Sequence, residues 1–325
     1  MNCFPGNSSP VPWPCQTPPC LYGPTRVGGA FGPTTRKRKP APGNGNTPRH
    51  CLGGTLLAIA LWSLASGSSG NCIWLEADGG ALLLDAGLSA SAVLSKLSRL
   101  ERNPSLLRAV LITHEHTDHV LGAVPIARKL RVPIISTSAT LGAILSRGAS
   151  ADVEPHPCGA TFEVAGLEVT SFRTEHDALD PVGYALAAGR TRICLTTDTG
   201  TLTPAIRRAM SKCSLVVLES NHDVQRLVSG PYPAPLKARI LGDTGHLSND
   251  AAAAAVASLS EEGNPTCVWL AHLSEVNNTP ALAMRCAHAA LRHARPENVR
   301  VSVALRDHTS LYWSSQLNWW QRSLF

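Results

Sequence analysis

The stretch Thr113-His114-Glu115-His116-Thr117-Asp118-His119 packs three histidines and an aspartate into six positions. Imidazole and carboxylate donors without thiolate suit divalent cations such as zinc or manganese. Four such donors on one tight turn can hold two metal ions about 3.5–4 Å apart and activate water between them. The flanks say how the turn is built. Residues 109–112 are an apolar run with β-branched members, which reads as a buried strand. Val120, Leu121, Val124, Ala127 and Leu130 recur at three- and four-residue spacing, one face of a helix. The donors therefore sit on a strand-to-helix junction.

The same arrangement recurs along the chain: a β-rich run ends and a His or Asp follows. It happens at His176, Asp198 and His272. Strand ends on one edge of a sheet assembly converge, so the joint expectation is seven donors for two divalent ions, zinc or manganese. His114, His116 and His176 would serve one ion, Asp118, His119 and His272 the other, and Asp198 would bridge. Two divalent ions against Asp118, Asp198 and a bridging hydroxide leave a charge of about +1, which favours an anionic electrophile such as a phosphodiester. The leaving oxygen of a diester needs a proton. His246, not used as a donor, is the candidate general acid. Glu219, at another strand end, would hold its imidazole and raise its pKa.

The elements that must position these groups are legible in part. Strands are expected at 56–61, 72–75 and 81–84, the last two joined by Asp78-Gly79-Gly80. Helices are expected around Val93 and Leu97, after Thr203-Pro204, over 250–259 and after Thr279-Pro280. Further strands are expected at 132–136, 184–186, 192–196, 215–218, 267–270 and 299–305, with a hairpin over 161–172. Residues 223–242, with Pro231, Pro233 and Pro235, read as irregular. The tryptophans of 313–325 are compatible with an edge extension or a contact patch.

Several motifs resemble the metallo-β-lactamase superfamily. Beside the histidine motif stand Asp198-Thr199, Leu218-Glu219-Ser220, Gly245-His246-Leu247-Ser248 and Ala271-His272-Leu273-Ser274, in the order of its phosphodiesterase branch, where the matching Glu and His form a proton-donating pair. The runs Ser66-Gly67-Ser68-Ser69-Gly70-Asn71, Glu219-Ser220-Asn221-His222-Asp223 and His272-Leu273-Ser274-Glu275-Val276-Asn277-Asn278 resemble the bacterial YycJ/WalJ-type metallohydrolases, regarded as 5′-to-3′ DNA exonucleases. The resemblance implies an α/β, αββα sandwich of two mixed β-sheets flanked by helices. It also implies a nucleic-acid partner, DNA rather than RNA. Ser68, Ser69 and Asn71 on the Gly-rich loop, with Asn221, His222, Lys237 and Arg239, are the candidate substrate contacts. A small cyclic diester, or an ester, thioester or lactone, is the rival substrate, but esters have no need of a Glu219/His246 pair. A metal-stabilised binding module without activity is the third reading, and it has no need of seven donors.

Composition sets the bounds. The chain has 325 residues, a 44% hydrophobic content and a net charge of +6. Residues 1–55 hold six basic residues and no acid, so the remainder is formally neutral, with 29 − 6 = 23 basic against 23 acidic residues. Any nucleic-acid surface there must be local. Ten cysteines without a Cys-x-x-Cys pair argue for reduced thiols in a cytoplasmic protein. The apolar run at 56–61 is far shorter than the ~20 residues that span a bilayer. Eleven of the 24 prolines fall in residues 1–50, so 1–52 is expected to be a disordered Pro/Gly-rich basic arm. The hydrolase domain is then 53–312 and 313–325 an aromatic tail. Since every donor lies beyond the arm, its removal is expected to leave turnover of a short phosphodiester intact; loss of folding on deletion would show that the arm belongs to the domain.

Overall fold

The computed structural model of the protein describes residues 58–148, 150–262 and 266–316. The expected arm, 1–52, and residues 317–325 of the expected tail lie outside the described residues. Period-two alternation builds two sheets. In β2 (Cys72–Ala77), Ile73 and Leu75 face one way and Cys72 and Trp74 the other. The first pair joins a core that also holds Val217, Trp269 and Leu195 from the opposite sheet, while the second pair packs under helices. Each such fully buried side chain is worth about 1.5–3 kcal/mol.

The first sheet runs β14 (Leu311–Ser314), β1 (Ala60–Ala65), β2, β3 (Gly80–Leu84), β4 (Leu107–Leu111), β5 (Ile134–Ser136) and β6 (Val153–Pro155). The second runs β13 (Val299–Val303), β12 (Thr266–Ala271), β11 (Leu215–Glu219), β10 (Thr191–Thr196), β9 (Val182–Ala188), β8 (Leu167–Arg173) and β7 (Thr161–Val164). Both sheets are mixed. β3 to β6 and β10 to β13 are parallel, and the remaining pairs are antiparallel. Parallel strands need crossovers. These are α1 (Ala90–Arg99), α2 (Thr117–Val120), α3 (Ala123–Leu130) and α4 (Ser138–Leu145) on the first sheet, and α5 (Pro204–Met210), α6 (Val224–Ser229), α7 (Ala234–Leu241), α8 (Asn249–Glu261) and α9 (Pro280–Leu291) on the second. α1, α3 and α4 bury Val93, Leu97, Ile126 and Ile144 against one outer face; α5, α8 and α9 bury Ile206, Val256, Leu259 and Leu291 against the other. The architecture is the expected αββα sandwich. Among the described residues every cysteine is a free thiol, and no helix is long and apolar enough to cross a membrane.

The structure departs from expectation in three places. The first strand lies at Ala60–Ala65, not 56–61, because its register is set by its neighbours: Ala60 opposes Glu76 on β2 and Ser314 on β14. Residues 223–242 are mostly helical. The prolines that suggested irregular chain flank or begin α7: Pro233 is its N-cap and Pro235 sits in its first turn, where the missing N–H costs nothing. The expected tail begins inside the sheet. Trp313 pairs with Leu61 and is buried in the inter-sheet core, and Tyr312 lies 5.0 Å from Trp62, centroid to centroid.

This settles the two readings of Trp313 in favour of an edge extension. Trp313→Ala is expected to destabilise by about 3–5 kcal/mol in chemical denaturation, the cost of emptying a core aromatic site. A loss below about 1 kcal/mol is the surface-residue result and would contradict the packing.

Candidate active site

Strand ends from both sheets meet at one rim. β3 delivers Asp85, β4 the loop with His114 and His116 and then α2 with Asp118 and His119, β8 His176, β10 Asp198, β11 Glu219 and β12 His272. The backbone turns abruptly there: Asp85, Asp198 and His272 have φ of 56°, 56° and 55°. A Cβ on Gly87 would overlap the Asp118 carbonyl, so only glycine lets the β3–α1 loop press against α2. That loop is tied in by Asn71, whose N–H donates to the Asp118 carbonyl at 2.7 Å and whose own carbonyl accepts from Gly87 N–H at 2.9 Å.

The seven expected donors come together in overlapping groups. His114, His116 and His176 form one, Asp118, His119 and His272 another, and Asp198 is grouped with donors of both. His116 Nδ1 lies 3.3 Å from His176 Nε2. His119 Nε2 lies 3.2 Å from Asp198 Oδ2 and 3.6 Å from Asp118 Oδ2, and His272 Nε2 lies 3.5 Å from Asp118 Oδ2. Donors bonded at 2.0–2.1 Å in a tetrahedral shell stand about 3.3–3.4 Å apart, so these spacings suit ligand edges. The tautomers agree. His119 Nδ1 meets Asp85 Oδ2 at 2.8 Å, His176 Nδ1 meets the Gly245 carbonyl at 3.1 Å and His114 Nδ1 meets Thr113 Oγ1 at 3.0 Å. Each contact leaves Nε2 facing inward. His114 Nε2 is buried without a hydrogen-bond partner, which is costly unless a cation takes it up. The donor set fits divalent metal.

Without an ion, protons hold the charge balance. Burial disfavours charge on His272, but Asp198, with Asp118 and Glu219, outweighs it and pushes the imidazole up to about 10. Burial likewise opposes charge on His119, and Asp198 and Asp85 drive it well above its ordinary value. Asp198 is held well below the carboxylate range: burial would raise it, and His272 and His119 overcome that. Those protons occupy positions a cation would neutralise, and they must leave when one binds.

Glu219 is the hub beside this cluster and is fully buried. Its Oε2 accepts from Thr199 N–H at 2.8 Å and Leu247 N–H at 3.2 Å; its Oε1 meets His246 Nδ1 at 2.7 Å and His272 Nδ1 at 2.9 Å. Burial would raise its pKa, but His246 and the hydrogen bonds of both histidines hold it at about 2. His246 shifts upward; burial opposes this, and the charge of Glu219 prevails. Its imidazole keeps 23% of its surface open, and it lines a cavity of ≈180 Å³ with Ser68, Asn221, Arg239 and Ser274.

The remaining expected contacts divide. Ser68 and Arg239 are exposed and line that cavity, as does buried Asn221, whose amide donates to the His272 carbonyl at 3.0 Å. Arg239 is ion-paired with Asp177. Ser69 turns away and donates to Asp307 Oδ1 at 2.9 Å, and Lys237 donates to the Val228 carbonyl at 2.7 Å. Asn71 is buried: its side chain accepts from Gly67 N–H at 2.9 Å and lies 3.0 Å from His119 Nε2. His222 is buried with both ring nitrogens unpartnered. Sequence reasoning missed Asp85, which accepts from Thr113 N–H at 2.8 Å as well as meeting His119. Its signal was an acid directly after the apolar strand 81–84, the same pattern that marked Asp198.

A sequence profile described as a β-lactamase superfamily domain matches residues 81–272. The chain is similar to the exodeoxyribonuclease YycJ of Bacillus anthracis, 36% identical over 223 residues, covering 68% of this chain and 84% of that protein. It is similar to the exodeoxyribonuclease WalJ of Streptococcus pneumoniae, 39% identical over 227 residues, covering 68% and 83%. Its fold resembles the metallo-β-lactamase fold protein YhfI from Bacillus subtilis, with TM-score 0.60, 16% identity, and 80% of this chain and all of that one covered.

Asp85 touches no cavity donor but His119, so it tests whether that ring is positioned for an ion. Asp85→Asn is expected to weaken divalent-cation binding by about 10–100-fold in metal-competition titrations. Unchanged affinity would mean that His119 Nε2 is not a donor.

Proposed function

We propose that this chain, which belongs to the β-lactamase superfamily and is a metallo-β-lactamase-fold hydrolase, cleaves phosphodiester bonds of DNA as a dinuclear 5′-to-3′ exonuclease. The names of the YycJ and WalJ relatives support the DNA substrate. The observation that carries phosphodiester chemistry is the Glu219–His246 contact of 2.7 Å beside the donor cluster.

In this reading His114, His116 and His176 would hold one divalent ion and Asp118, His119 and His272 a second, with Asp198 grouped with donors of both sets. The ions supply Lewis acidity and an activated water. The chain does the rest. Asp85, Thr113 and the Gly245 carbonyl fix the rings from behind. Glu219 Oε1 accepts a hydrogen bond from His246 Nδ1–H, which leaves Nε2 as the nitrogen free to face the cavity. The charge of Glu219 shifts His246 upward against its burial, which favours the protonated ring that a general acid needs for the departing oxygen. Asn221, bonded to the His272 carbonyl, and Ser68 stand on the cavity wall where a phosphate oxygen would lie.

His246→Ala is expected to lower turnover of DNA by about 10²–10⁴-fold, the usual worth of a general acid, with metal content unchanged. The defect should shrink on a nitrophenyl diester, whose leaving oxygen needs no proton. Loss of metal in this variant, or an equal defect for both leaving groups, would remove His246 from the acid's role.

A further inference from the structure

Three surface cavities adjoin beside the candidate active site. The first, of ≈180 Å³, holds His246 and reaches Ser274. The second, of ≈310 Å³, starts at the same Ser274 and runs past Arg306, Asp307 and His308. The third, of ≈460 Å³, shares Leu305, Asp307 and His308 with the second and ends on Lys96 and Arg99 of α1. The first and second meet at Ser274 and the second and third at Leu305, Asp307 and His308, so the three form a line of adjoining cavities, here called a trench, that starts at His246.

The described part of the trench carries more cation than acid. Arg306 meets Glu275 only at 3.6 Å, and that carboxylate is 77% exposed. Lys96 donates to the main-chain carbonyl of Asp307 at 2.9 Å and feels the Asp307 carboxylate, so in the second and third cavities three cations, Lys96, Arg99 and Arg306, stand against two acids, Asp307 and Glu275. Arg99 is exposed, three positions from Lys96, and lines the same cavity. Like charges at this helical spacing repel. The end of α1 favours cations in its last turn, but that does not require both to line one cavity. Leu305, 36% exposed, adds apolar surface to the same two cavities. Cations with apolar surface beside them suit a nucleic-acid strand, which offers both phosphates and bases. The trench floor is also anchored to the site. Ser66 N–H donates to the carbonyls of Leu305 and Arg306, and the Ser66 hydroxyl accepts from His272 N–H at 2.9 Å.

We propose that this trench carries the stretch of single strand adjoining the cleaved bond, with phosphates at Arg306 and at Lys96 and Arg99. The proposal rests on the DNA-hydrolase reading and adds to it a strand path remote from the metal donors.

The test measures binding by the full chain in EDTA, using fluorescein-labelled oligodeoxythymidylate of about 20 nucleotides and a labelled dinucleotide. Arg99→Glu and Arg306→Glu are each expected to raise the Kd of the long strand about ten-fold, leave the dinucleotide unchanged, and lower the salt slope by ~0.7 per lost phosphate contact. Arg306→Lys should recover most of the loss. Arg306 lies over Gly67, where substitution can disturb the fold, whereas Arg99 is exposed; Arg99→Glu therefore decides the matter on its own. A Kd within about two-fold of wild type for Arg99→Glu overturns the trench, as does failure of wild type to bind the long strand. Cleavage with manganese separates the two claims. A wild type that binds through Arg99 and Arg306 yet never shortens DNA sinks the DNA-hydrolase reading and keeps the trench. One that shortens DNA while the variants bind normally does the reverse.

Discussion

The site depends on neutralising carboxylates that are fully buried among imidazoles. Asp198 and Glu219 lie almost wholly out of water, at 2% and 0% exposure. An unpaired carboxylate at such a depth would take up a proton instead of staying charged. Asp198 is kept ionised by His272 and His119, and Glu219 by four donors, two from main-chain N–H groups. A divalent cation strengthens the arrangement at Asp198, since it replaces two mobile protons with a fixed charge. Glu219 touches both His246 and His272 through one oxygen. Any change in charge on His272 is therefore felt at the ring proposed as acid.

That concentration of charge needs a rigid rim, and the two sheets are stitched where it is needed. The Tyr184 hydroxyl donates to the Ile112 carbonyl at 2.7 Å, and Val182 N–H donates to the Thr113 carbonyl at 3.0 Å. Both bonds join the second sheet to the first immediately before the histidine loop. Within the first sheet, Ser136 Oγ on β5 donates to the same Ile112 carbonyl at 2.7 Å. Sites held on sheet ends by such bonds keep donor spacings more faithfully than sites on free loops.

The donor cluster was legible in the sequence because its signal is local: an apolar run and then a ligand-type residue, repeated. The layered fold followed from the resemblance those motifs carry, and the apolar runs located most of its strands. What escaped was set by partners distant in sequence. The first strand's register comes from β2 and β14, and Trp313 is in the core because Leu61 lies opposite. α7 was hidden because proline was weighed as a breaker where it serves as a helix start. Asn71 carries the residue type of a phosphate contact, but the structure spends its side chain on Gly67 and the α2 turn. Nothing in a single chain distinguishes those uses of an asparagine until the close approach of Gly87 to Asp118 is known.

The rim also shows where the fold tolerates strain. Left-handed backbone at a residue with a Cβ costs roughly 1–2 kcal/mol. Asp85, Asp198 and His272 all adopt it at the ends of β3, β10 and β12. Continued strand geometry would send alternate side chains to opposite faces, one toward the helices and one into the apolar inter-sheet core. A left-handed turn breaks the alternation at the last residue and aims that side chain over the rim, where the three meet. Glycine at these positions would relieve the backbone and lose the donor or its support, and asparagine would keep the turn but lose the charge that holds His119 and His272. The strain is therefore tied to the charge network, and the two buried sheets over-determine the backbone strongly enough to sustain it.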